Sequence, residues 1–189
     1  MTAKQRRGLR EPAAREPTSG GGAARSTGAD PEAVAREIVL RQLTMGPRSR
    51  AQLATKLAQR DTPDAVAQRV LDRLEQVGLV DDAAFAAGWV HSRHAARGLS
   101  RRALQYELRT KGIDDHLAEA ALETLDGDDE RRAAEQLVAR RLRTVQGLPR
   151  QKQVTRLVAM LARKGYGGGL ALQVVRDALD TADRPSLPG

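Results

Sequence analysis

The chain contains no cysteine, which excludes disulfides, thiolate nucleophiles and cysteine-ligated metals. Aromatic side chains are nearly as scarce, being confined to Phe85, Trp89, Tyr106 and Tyr166. Sheet-based single-strand binders stack successive bases on several exposed rings, so that class is disfavoured. No stretch approaches the ~18 uninterrupted apolar residues a membrane span requires. The charged start, Met1 to Leu9, lacks the pattern of an export signal. A soluble, cytoplasmic protein with no membrane partner is expected. β-Branched residues come singly and not in the alternating runs that mark strands.

What the sequence does hold is Ala, Leu, Arg, Gln and Glu, the stronger helix formers. An all-α fold is indicated. Its 189 residues carry a formal net charge of +8, almost all of the excess being arginine, which favours an anionic partner such as nucleic acid or an acidic protein groove.

Residues 1–30 combine Pro12, Pro17, a Ser19-Gly20-Gly21-Gly22 run and several basic residues with few apolar side chains. They read as a disordered basic arm, and residues 183–189 as a loose tail, because neither can offset the entropy of ordering. Between them, apolar residues recur at helical spacing: Val34, Ile38, Val39, Leu43; Leu53, Leu57; Val66, Val70, Leu71, Leu74, Val77. Pro31, Pro47, Pro63 and Pro149 all fall where a helix would begin or a turn would lie.

The pattern then repeats at intervals of about 50 residues, with Leu53, Leu104 and Leu157 in register and Leu57, Leu108 and Leu161 in register. This predicts an elongated array of three tandem three-helix modules, 31–80, 81–127 and 128–182. The turn after the middle helix reads Lys111-Gly112-Ile113 in the second copy and Lys164-Gly165-Tyr166 in the third. In the first copy Arg60-Asp61-Thr62 fills the slot. Glycine there suits a left-handed helix C-terminus, and Ser100, Asp114 and Asp128 are the matching N-cap candidates. The Gly167 to Gly169 triplet reads as a turn that initiates a helix.

The segment from Gly78 through Phe85, Trp89 and Arg93, then Gly98, then Leu108 to Gly112-Ile113, resembles the signature of the RecX family of recombination regulators. With the flanking copies the resemblance spans roughly Val34 to Leu179. It implies a modular helical protein, without catalytic residues or cofactors, that lies in the groove of RecA recombinase filaments on DNA. It also implies inhibition of their ATPase, strand-exchange and coprotease activities.

From Gln136 to Tyr166 the basic residues Arg140, Arg141, Arg143, Arg150, Lys152, Arg156, Arg163 and Lys164 occur without a single acidic one. Ordinary solvated helix faces mix both signs, because opposite charges three or four residues apart help each other, so a functional patch is expected here. Arg93, Arg97, Arg101, Arg102, Arg109 and Lys111 form a second cluster, diluted by Glu107. Arginine suits phosphates and carboxylates alike through its planar fork. A filament and single-stranded DNA, with double-stranded DNA secondary, are the expected partners of a monomer.

Phe85, Trp89 and Arg93 share a helical face. A partner anchor is conceivable, but a chain this poor in aromatics is expected to bury its largest ring in the middle module's core. His91 and His94 near Asp81-Asp82 suggest a metal pair but lack a third ligand on that face, and the aspartates are better explained as helix caps. His116 adds nothing to them. Ser92 and Ser100 have no nucleophile-elbow context, and no glycine-rich loop offers a phosphate cradle. Two other functions remain open: a helix-turn-helix transcription factor, suggested by the helix pair across Arg50–Gln59 and Pro63–Val77, and a DNA-binding protein acting through charge alone.

Overall fold

Helix after helix in this chain begins at a side-chain cap that the sequence supplies. The computed structural model describes residues 30–183, and there Asp30 opens the chain by accepting a hydrogen bond from the Glu32 backbone at 3.1 Å. Pro31 follows at the first helical position, where a missing N–H costs nothing. The expected arm and tail lie outside the described residues except at their inner ends. Asp30 is the first helix's cap, and Asp183 belongs to the last helix.

Nine helices and no strand occur among the described residues, and they group in threes. The first module is α1 (Pro31–Thr44), α2 (Arg50–Ala58) and α3 (Asp64–Gln76). The second is α4 (Asp82–Arg97), α5 (Arg101–Thr110) and α6 (Asp115–Leu122), and the third α7 (Gly127–Leu142), α8 (Arg150–Arg163) and α9 (Gly168–Asp183). Each module encloses its own core. Leu53, Leu57, Val70, Leu71 and Leu74 fill the first, Phe85, Leu104, Leu108, Ile113 and Leu122 the second, and Leu157, Leu161, Tyr166, Val175 and Leu179 the third. The in-register leucines of α2, α5 and α8 are thus the centre of each bundle, each contributing about 1.5–3 kcal/mol by leaving water.

Several helix starts follow the sequence reading. Ser100 caps α5 by accepting from Ala103 N at 3.2 Å, and Asp114 caps α6 by accepting from His116 N at 2.9 Å. Asp81 likewise caps α4 through Ala84 N at 2.8 Å. The third module differs: Asp126, not Asp128, caps α7, with Asp129 returning a bond to its backbone to complete a capping box. Asp126, Asp128 and Asp129 are all chemically able to cap, and the reciprocal bond from Asp129 selects the first. Val34 and Val77, assigned to the apolar stripes, are exposed; Ala35 and Val39 carry the buried face of α1.

The Lys-Gly turns have two functions. Gly112 and Gly165 adopt φ values of 73° and 89°, in the left-handed region that an L side chain enters at a cost. They also touch the preceding module. A Cβ on Gly112 would overlap the Cβ of Ala51, and one on Gly165 would lie 2.5 Å from Ser100 Oγ and 2.7 Å from Ala103 Cβ. Around this approach the same bonds recur. Ser49 Oγ donates to Lys111 O at 2.6 Å, and Ser100 N donates to Lys164 O at 3.0 Å. Arg50 N donates to Asp82 Oδ1 at 2.8 Å, and Arg101 N to Glu130 Oε1 at 2.7 Å. In both joints, therefore, a carboxylate from the following module satisfies an orphan N–H at the start of the preceding module's second helix. Ser49 and Ser100 are buried polar residues for this reason.

The second joint adds Tyr166, whose hydroxyl donates to Gly98 O at 3.1 Å, and Lys164, whose Nζ donates to Arg97 O at 2.7 Å. Among the described residues the corresponding turn of the first module seats on no other module, and Asp61 takes the left-handed conformation itself at φ 55°. Asp tolerates that region better than most side chains, and nothing there demands the absence of a Cβ.

Two predictions follow from the joints. Gly112→Ala is expected to lower stability by about 2–4 kcal/mol, since left-handed strain and overpacking add. Asp61→Gly is expected to change it by no more than about 1 kcal/mol, its gain in conformational ease being offset by unfolded-state entropy. Urea midpoints of the two variants test the contrast. Burial, and secondarily the charge of Glu130, raise the Tyr166 phenol from 10.0 to about 12. A folded-state pKa above the unfolded one means that this contribution is complete below pH 10 and is lost as pH rises toward 12. Stability measured across that window is expected to fall less steeply in Tyr166→Phe than in the parent.

Candidate interaction surface

The basic residues singled out from sequence fall into two groups once their surroundings are known. Some are tied to their own module. Arg50, Arg101 and Arg150 each stand first in their module's second helix, and each folds back onto the end of its third. Arg50 pairs with Asp72 at 2.7 Å and Glu75 at 2.6 Å. Arg101 Nη1 donates to the carbonyl of Leu122, the last residue of α6, at 2.9 Å and to that of Leu125, just beyond it, at 3.4 Å. Arg150 pairs with Asp180 and, at 2.7 Å, with Asp183. A repeated internal staple thus occupies two residues that charge counting had placed in the binding surface.

Arg109 is likewise engaged, by both oxygens of Asp115 at 2.6 and 3.2 Å. That pairing raises the guanidinium's pKa and lowers that of the carboxyl, the direct hydrogen bond being the larger cause in each. Lys164 holds the second joint, as described above.

Arg93, Arg97 and Lys111 converge on Trp89 and Glu107. The indole is partly buried against the second core and stacks on Phe85 with ring centroids 5.8 Å apart. Its Nε1 donates to Glu107 Oε2 at 2.8 Å. The Arg93 guanidinium sits 4.1 Å from the ring centroid and the Lys111 ammonium 3.9 Å from it, both within cation–π range. Glu107 also attracts Arg93 at 3.9 Å and Arg97 at 3.8 Å. Desolvation pushes the Lys111 pKa down; Glu107 opposes that, and Arg93 and Arg48 reinforce it. The acidic residue that seemed to dilute the cluster is the group that assembles it.

The remaining candidates, Arg102, Arg140, Arg141, Arg143, Lys152, Arg156 and Arg163, are exposed. None of them enters an ion pair among the described residues, and Arg140 Nε donates to Gln136 O at 3.2 Å. All but Arg102 lie in the third module, on the end of α7, the turn after it and α8. A one-sign surface of this kind gives up the pairing that exposed helices ordinarily use.

Tyr106 was not assigned a role from sequence, yet it is 73% exposed. It stands on α5 one turn from both Arg102 and Arg109, opposite the buried Leu104 and Leu108. The available signal was its phase, since the leucines fix which face of α5 is solvent. Of the signature positions, Phe85, Leu108 and Ile113 belong to the second core, whereas Gly98 and Gly112 serve the joints. His94 Nδ1 contacts Leu99 O at 2.9 Å. No group of three or more His, Asp or Glu side chains able to hold a metal occurs among the described residues. No described helix is long and apolar enough to cross a membrane.

The neighbours Arg101 and Arg102 give a direct test of this division. Arg101→Ala is expected to cost about 1.5–3 kcal/mol, because charged donors leave the α6 carbonyls. Arg102→Ala is expected to stay within about 0.5 kcal/mol, as exposed substitutions do. Chemical denaturation of both variants measures the difference.

Comparison with known proteins matches this architecture module by module. The family models for the first, second and third three-helix domains of RecX match residues 35–74, 81–122 and 128–175. The regulatory protein RecX of Streptomyces coelicolor is 54% identical over 151 residues, covering 80% of either chain. That of Thermobifida fusca is 52% identical over 146 residues, covering 77% of this chain and 79% of the relative. The crystal structure of RecX from Lactobacillus salivarius superposes with a TM-score of 0.72 at 20% identity, over 81% of this chain and 99% of the other, which shows a shared fold. Three domain matches in tandem and relatives of this identity place the chain in the RecX family of regulatory proteins.

Proposed function

We propose that this regulator binds the RecA recombinase filament on DNA and restrains its ATPase, strand-exchange and coprotease activities. The observation that carries this reading is the exposed, unpaired basic surface of the third module, from Arg140 to Arg163, on an array of serially joined modules. Each module has its own core and meets only its neighbours through hydrogen bonds, so the chain offers contact points distributed along its length. A polymer of repeating protomers can engage several of them at once. Weak contacts in series then add through effective concentration, without any one of them being strong.

Arg102 and Tyr106 supply a second contact region on the middle module. An exposed ring beside an unpaired guanidinium can stack on a base or pack on a protein surface. The tied arginines Arg101, Arg109 and Arg150 act in this reading through the modules they hold together.

The test is a titration of this protein into RecA filaments assembled on single-stranded DNA, with ATP hydrolysis as the readout. Hydrolysis is expected to slow as the protein saturates the filament, and binding to filament is expected to exceed binding to free RecA by about tenfold or more. Charge reversal at Arg143 and Lys152 together is expected to weaken filament binding about tenfold, because each cation lost removes about one counterion-releasing contact. An unchanged hydrolysis rate at saturation would overturn the proposal. Equal salt dependence on filament and on bare DNA would favour binding through charge alone.

A further inference from the structure

A groove runs between the end of the first helix and the second helix in the first and third modules; in the third it is larger, carries three exposed arginines, and no residue of a neighbouring module lines it. Alignment of Leu53, Leu104 and Leu157 places Gln52, Lys56 and Gln59 of α2 in register with Ala103, Glu107 and Thr110 of α5, and with Arg156, Met160 and Arg163 of α8. In the first module Thr110 of the second module reaches into the groove beside Gln52 and Gln59. In the second, Gly165 lies against Ala103, and Trp89 and Arg93 occupy Glu107. Among the described residues nothing covers the third.

That groove encloses about 580 Å³ between the turn after α7 and the outer face of α8, a size at which proteins bury ligands. Arg141, Arg156 and Arg163 rim it, and the half-buried Ala159 and Met160 contribute its apolar floor above the core residues Val145 and Leu157. Arg156 and Arg163 are seven residues apart on one helix, which sets their attachment points about 10 Å apart along its axis.

We infer that this groove binds an acidic amphipathic helical segment of a partner protein. Such a segment satisfies both parts of the site at once, its aliphatic side chains covering the floor and its carboxylates meeting the guanidinium forks. Methionine on the floor adapts to side chains of different shape. Single-stranded nucleic acid fits less well. Its phosphates would suit the rim, but no aromatic ring lines the groove for its bases, and the floor would stay wet. A further module of the same kind is also disfavoured. The joint needs a small residue and a serine cap, whereas in the same register Arg156 stands in the place of Ala103 and Gln153 in the place of Ser100. The inference deepens the filament reading by naming the chemistry of the partner surface that meets the third module, and it rests on that reading only for which protein supplies the segment.

The experiment uses the full-length protein and a fluorescein-labelled synthetic peptide of about sixteen residues, with three leucines on one helical face and two glutamates seven residues apart beside them. Anisotropy titration is expected to show saturable binding. Moving the glutamates to the opposite face, or introducing Arg156→Glu or Arg163→Glu, is expected to weaken binding about tenfold or more, equivalent to about 1.4 kcal/mol. Arg176→Glu, exposed on α9 of the same module but outside the groove lining, is expected to weaken it less than about threefold. A labelled oligothymidylate serves as the competing probe. Absence of saturable peptide binding, equal losses in Arg176→Glu and Arg156→Glu, or loss of oligothymidylate binding alone in the groove variants would each overturn the inference. If the parent protein slows filament ATP hydrolysis while the peptide does not bind, this inference fails and the filament reading stands. If the peptide binds as described while hydrolysis is unaffected, the filament reading fails and the groove retains its acidic partner.

Discussion

The architecture depends on one close approach, the seating of a lysine-glycine turn on the serine-capped start of the preceding module's second helix. The modules bury their cores separately, so nothing apolar of comparable extent holds one to the next. What does is backbone contact at glycine and a few hydrogen bonds to groups that would otherwise be orphaned at a helix N-terminus. Because both partners of each bond are removed from water, leaving either one alone costs more than the bond itself contributes. The contact is therefore small in area but specific in register.

This arrangement also explains why the three copies are not identical. A residue in the turn is constrained only when a module lies in front of it, and a residue on the face of the second helix that receives the next turn only when a module lies behind it. Asp61 is free to be an aspartate on the first ground, and Arg156 free to be an arginine on the second. The departures from the repeat thus fall where, among the described residues, no further module adjoins.

Much of the fold was legible in the sequence because it is written in local periodicity. Leu53, Leu104 and Leu157 recur at helical spacing with their own flanking leucines, and Lys-Gly announces the helix ends. What was not legible involves partners distant along the chain. Arg150 looked like part of a one-sign patch because Asp180 and Asp183 lie thirty or more residues further on. Arg101 bonds to backbone carbonyls, which charge counting does not see. Trp89 packs against the middle core as its size suggested, but the cations and Glu107 gathered on it could not be read from its size. Tyr106 could have been found from the phase of its helix, and Asp126 could not be separated from Asp128 without the reciprocal bond of Asp129.

The separation of the three cores has a mechanical consequence. A rod with one continuous interior resists bending everywhere, whereas here compliance is concentrated at two seams made of polar bonds, and the bundles between them stay stiff. Bending is therefore expected at those seams and not within the bundles.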